Sequence, residues 1–272
     1  MDARQHGQGP GEPGMLNDFE KEELRFAKQL LESPSLASKL TAMLGTSLEK
    51  GFDLLPDRWA AGAGKVAAYS LEKALRVALY SMKSPSRRRP ADRLHKWMAA
   101  SSGGLGGAFG LPALALELPV TTTIMLRAIA DIARSQGEDI ASAEAKLACL
   151  QVFALGGASV EDDGLNAGYF ALRTLLAKNL SDAARFLAAK GLSGDSAPVL
   201  VRFIGQIAAR FGIIISEKAA AQALPVVGAA GGAAINTLFM KHYQDMARGH
   251  FIVRRLERRY GGGLIQAVYK DL

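Results

Sequence analysis

The chain has 272 residues, 49% of them apolar, with 33 Lys and Arg against 26 Asp and Glu for a formal charge of +7. That apolar share builds a substantial core and excludes a wholly disordered chain, while the basic excess favours anionic partners such as phospholipid head groups or nucleic acid. A single cysteine, Cys149, excludes an intramolecular disulfide framework and makes a reducing compartment, the cytoplasm, the default location.

The opening MDARQHGQGPGEPG has no apolar stretch of signal-peptide type, so residues 1–16 read as a disordered leader ahead of one helical domain over 17–272. From Asn17 onward the residues are helix formers almost everywhere, which makes the fold class all-α, a multi-helix bundle. The first helix starts at a cap on Asn17 or Asp18, carries acid in its first turns and stops before Pro34. A second is expected from Ser35 to Leu55. Pro56 then opens a long helix that runs to SPSRRRP, a basic loop bounded by Pro85 and Pro90. Further helices are expected over 92–100, 119–135, 142–155, 165–190 and 198–222, and a long last one over 226–260.

Two segments depart from this amphipathic background, 97–116 and 219–240. Both have the length of a bilayer span, but Gly, Ala, Ser and Pro dominate over Leu, Ile and Phe. Gly103 with Gly107, Gly106 with Gly110, and Gly228 with Gly232 repeat the small-xxx-small spacing that lets helix backbones approach closely. The segments are therefore expected to form two glycine-rich apolar helical hairpins. An echo links them: TIMLRAIADIAR, Thr123 to Arg134, aligns without a gap on TLFMKHYQDMAR, Thr237 to Arg248. If the echo is not chance, the hairpins form a pseudo-symmetric pair. Each copy sets a base four residues before an acid, Arg127 with Asp131 and Lys241 with Asp245, where a helix brings the two together.

Glu117 stands alone in its apolar stretch, so it must pair, protonate or meet water. The bland account places it at a helix break beside Pro119. Thr121, Thr122, Thr123 and Asn236 are polar groups of the same two units and can bond across the helix pair or to Glu117. Basic residues gather at Lys83, Arg87, Arg88, Arg89 and Arg93, and at Arg254, Arg255, Arg258 and Arg259; such clusters beside an apolar element suit anionic lipid. Aromatics, at 7%, are not interleaved with these bases, so a stacking surface for nucleic acid is not expected.

Motifs for chemistry are weak. GAGK at Gly62 to Lys65 lacks the first glycine and the closing Ser or Thr of a phosphate-binding loop and lies in a helical pattern. His6, His95, His242 and His250 show no metal-ligand spacing, and exposed positions on amphipathic helices are the expectation for His242 and His250. EDDG at Glu161 to Gly164 and Ser142 in GEDIASAE read as helix caps. GGASV around Ser159 lacks the second glycine of a nucleophile elbow. No metal, cofactor or catalytic residue is assigned.

LELPVTTTIMLRAIADIARSQGEDI followed by AKLACLQVFALGG, and then LPVVGAAGGAAINTLFMKHYQDMARGHFIVRRLERRYG, resemble the EcsC family of bacterial proteins, named for a gene neighbour of an ABC transporter. The resemblance spans roughly 35–262. It implies membrane association and no defined biochemical activity, although some members carry a peptidase or hydrolase label. The expectation is a cytoplasmic accessory or regulator of a membrane complex, peripheral to or partly inserted in the inner membrane. Its hairpins would pack through Gly103, Gly107, Gly228 and Gly232, and Arg87, Arg88, Arg89, Arg254, Arg255, Arg258 and Arg259 would meet anionic lipid. Two rivals stand beside it. One is a hydrolase assembled from His242, Asp245, His250 and Glu161, and the other is a soluble helical scaffold that keeps both glycine-rich segments in its core and binds a protein.

Overall fold

The computed structural model describes residues 15–81, 111–156, 168–191, 198–225 and 227–272. Helix α1, Asp18–Leu31, starts at a capping box: Asn17 Oδ1 accepts from the Glu20 amide at 2.8 Å, and Glu20 Oε2 accepts from the Asn17 amide at 3.1 Å. The expected single helix from Ser35 to Leu55 is broken in two, α2 at Leu36–Leu44 and α3 at Glu49–Phe52. The break falls at Gly45, whose φ of 65° closes α2 in the left-handed region where glycine is preferred. Helix α4, Trp59–Ser81, starts three residues after Pro56, and Gly62 to Lys65 are helical within it.

Helix α5, Leu111–Ser135, runs unbroken through Pro119, so the expected start at 119 and the expected break there are both corrected. Helix α6, Ala143–Leu155, is capped by Ser142 and buries every residue from Ala145 to Ala154, which makes it the central rod of the bundle. Helices α7, Gly168–Lys190, and α8, Pro198–Ala223, flank it. Helix α9, Gly228–Tyr260, is the longest described, and Gly261, at φ 87°, turns the chain into α10, Gly262–Asp271. That last helix was not expected; Ile265 and Tyr269, both buried, anchor it.

Every described element is helical, and the helices pack as a bundle around two apolar clusters. The larger takes residues from α2 and from α4 through α9. The smaller joins α1, α7, α10 and the C-terminal half of α9 through Leu24, Phe170, Val253, Ile265 and Tyr269. Close backbone approaches fix the contacts. A Cβ on Gly51 of α3 would lie 2.2 Å from the Ala220 carbonyl oxygen of α8, and one on Gly212 of α8 would lie 3.3 Å from the Gly64 Cα of α4.

Candidate functional site

Three helices converge on one buried carboxylate. Glu117 of α5 is 8% exposed, and its Oε1 accepts from Lys218 Nζ of α8 at 2.7 Å, Asn236 Nδ2 of α9 at 2.7 Å and Thr121 Oγ1 at 3.2 Å. Lys218 is fully buried, with its ammonium 5.1 Å from the centre of the Phe239 ring. Burial pushes the Lys218 ammonium below its usual range, and the Glu117 carboxylate opposes that shift by Coulomb attraction and a hydrogen bond. Of the alternatives for Glu117, the pair is realised and the helix break is not. Lys218, which the sequence reading missed, supplies it. The available signal was a lysine one residue ahead of an uncharged run, open to the same argument as Glu117.

Glu217, beside Lys218 in sequence, turns to another element. Its carboxyl accepts from the Ala37 backbone N–H in the first turn of α2, but burial pushes its pKa up to about 7.

The echoed segments lie on α5 and α9. Asp131 pairs with Arg134 at 2.7 Å and Asp245 with Arg248 at 3.1 Å, so the acid and base identical in both copies form the same one-turn pair. Lys241 reaches Asp245 at 2.5 Å, whereas Arg127 is exposed and Asp131 turns to Arg134. Gly232 is buried on α9, where Gly228 is the first helical residue; Gly103, Gly107, Arg87, Arg88 and Arg89 lie outside the described residues.

The histidines correct the sequence reading. His242 is 3% exposed and His250 is fully buried. The Gly156 carbonyl can only accept, so its 3.0 Å contact fixes a proton on His242 Nε2 and leaves Nδ1 to accept from Lys39 Nζ at 3.5 Å. Lys39 also donates to Ser33 Oγ at 3.0 Å. Burial is the main cause that lowers the His242 pKa to about 4. His250 Nδ1 lies 2.9 Å from Tyr169 Oη, and that oxygen accepts from Arg173 at 3.4 Å, so the phenol proton points at His250. Arg173 in turn grips Glu257 with two bonds, at 2.8 and 2.7 Å. His242 and His250 therefore serve separate networks and do not meet in one reactive site. Glu161 lies outside the described residues.

Of the arginines expected to face lipid, the four on α9 are tied into the fold. Arg254 pairs with Glu138 at 2.9 Å and Glu144 at 3.5 Å, and Arg258 with Glu138 as well. Arg255 reaches Glu23 at 2.6 Å and Arg259 reaches Glu20 at 2.7 Å. The end of α9 is thus stitched to α1 and to the turn between α5 and α6. Glu20 serves the α1 cap and the Arg259 pair together. Among the described residues no group of three His, Cys, Asp or Glu stands ready to hold a metal ion.

The model of the EcsC protein family matches residues 27–256. No curated protein and no solved structure matches the chain.

Proposed function

The chain belongs to the EcsC protein family, and on that premise we propose that it works as a helical scaffold that binds another protein. The observation that carries this reading is the course of the second glycine-rich unit. At the end of α8 and the start of α9, Ala219, Ala220, Ala221, Leu224, Val227, Ile235 and Asn236 are buried against the rest of the bundle. A small-residue segment suits close protein packing as well as lipid, and the ion pair at its start supports the protein environment. Withdrawing α8 into a bilayer would carry Lys218 into hydrocarbon and leave Glu117 on α5 buried without its counter-charge, at a cost of several kcal/mol. The paired arginines on α9 support the same reading, because their charge is balanced by carboxylates of the same chain.

Peripheral attachment to the inner membrane face, as accessory to a membrane complex, is the second reading. Its supporting observation is α8, long and apolar enough over 26 residues to cross a membrane, with half of its most apolar stretch buried. Liposome flotation with neutral and anionic vesicles at low and high salt, followed by an alkaline carbonate wash, separates the two. The scaffold reading expects the purified chain to stay monodisperse without detergent and to remain unfloated. Carbonate-resistant flotation would overturn it, and salt-released flotation on anionic vesicles would favour the peripheral reading.

A further inference from the structure

A cavity of about 510 Å³ opens between α6, α7, α9 and α10, away from the Glu117 centre. Its size falls within the range of small-molecule pockets, roughly 300–1,000 Å³. Two features of its wall define what it can hold. The first is charge balance: Arg173 is paired with Glu257, Arg254 with Glu144 and Glu138, and Arg185 with Asp182, so a charged ligand has no unmatched partner of opposite sign among these groups. The second is Gln151, on the central helix α6. It is 3% exposed, lines the cavity, and takes part in none of the hydrogen bonds among the described residues. Its carboxamide is not sealed from solvent, so its donor and its acceptor open onto the cavity. Phe170 adds an apolar surface on the α7 side.

We propose that this cavity binds a small molecule without net charge, of the size of a nucleoside or a dipeptide, and that Gln151 recognises an amide-type donor–acceptor edge on it. A nucleobase edge and a residue of extended peptide backbone share that chemistry, because each presents an N–H beside an acceptor that a glutamine side chain can bridge with two bonds. The Arg173–Glu257 pair supplies further donors and acceptors for a zwitterionic end or a ribose. This site is independent of the scaffold reading and stands or falls separately from it.

The test is saturation-transfer NMR on the full chain with adenosine, uridine and glycylglycine as probes and inorganic phosphate as competitor. Signal transfer to at least one probe, undisturbed by phosphate, is expected; the probe that binds tells a nucleobase from a peptide. Gln151→Leu, which keeps the volume and removes the amide, should weaken that probe about tenfold, the worth of one good hydrogen-bonding partner. Ala177→Phe, which adds a ring to the cavity wall on α7 and keeps Gln151, should abolish the transfer and covers the case in which Gln151→Leu fails to fold. Absence of transfer to all three probes, displacement by phosphate, transfer that survives in folded Ala177→Phe, or an affinity unchanged in folded Gln151→Leu would overturn the proposal.

Discussion

Lys218 and Glu117 show how far a single residue's meaning depends on its partner. Each alone would be an isolated charge in an apolar helix, and the fold makes them one unit at 2.7 Å with Asn236 and Thr121 as further donors. Removing one partner leaves the other buried without a counter-charge, whereas removing both leaves an apolar gap that larger side chains can fill. Lys218→Met is therefore expected to cost about 3–5 kcal/mol in urea unfolding. The double change Glu117→Leu with Lys218→Met should lie within about 1 kcal/mol of the parent, or above it. If the single change costs no more than the double, the two residues are not coupled. From the sequence Glu117 could be seen to need a partner, but the partner lies 101 residues away, on a helix whose packing no local pattern specifies.

At the scale of elements, caps and glycine carried most of the legible signal. Asn17, Ser35 and Ser142 all accept hydrogen bonds from the first turns of their helices, because capping is a local interaction that three or four residues define. The break at Gly45 in the expected Ser35–Leu55 helix was not foreseen because a glycine within an apolar pattern marks either a tolerated defect or a left-handed stop, and the α2–α8 and α3–α8 contacts decide which. Pro119 was misread in the opposite sense: α5 continues through it, with Thr123 Oγ1 donating to the Pro119 carbonyl at 2.7 Å. Glycines with neighbours and glycines in the open should also respond differently. Gly51→Ala would drive a methyl into the Ala220 carbonyl, and thermal unfolding is expected to show a loss of about 1–3 kcal/mol. Gly62, inside α4 with nothing described within 4 Å of its added Cβ, should gain about 0.5–1 kcal/mol as Gly62→Ala. Equal effects at the two positions would contradict the close α3–α8 approach.

For the whole molecule, two buried groups set opposite pH dependences. The folded chain keeps the Glu217 proton up to about pH 7, whereas the unfolded chain releases it near 4.5, so its stabilising contribution is complete below 4.5 and lost as pH rises through 7. Measured against the parent, Glu217→Gln should gain about 2 kcal/mol between pH 4.5 and 8, read from Tm or urea midpoints across that range. His242 runs the other way. Its folded pKa of about 4 lies below the ordinary 6.5, so its contribution is present above 6.5 and lost as pH falls towards 4. The neutral donor variant His242→Gln should therefore overtake the parent on acidification, and a pH-independent difference would show that His242 does not titrate in the fold. By itself the sequence determined the helical class, the starts of α1, α2 and α6, and the family resemblance, all of which rest on interactions within a few residues or on whole-chain pattern. Only the tertiary structure decided that His242 and His250 are buried, that the four α9 arginines are paired within the chain, and that Ala219, Ala220, Ala221 and Ile235 of the second small-residue segment are buried in the bundle. Burial and pairing are properties of what another helix brings to the same place, and a helical repeat of small and basic residues is compatible with lipid, solvent or protein until that helix is there.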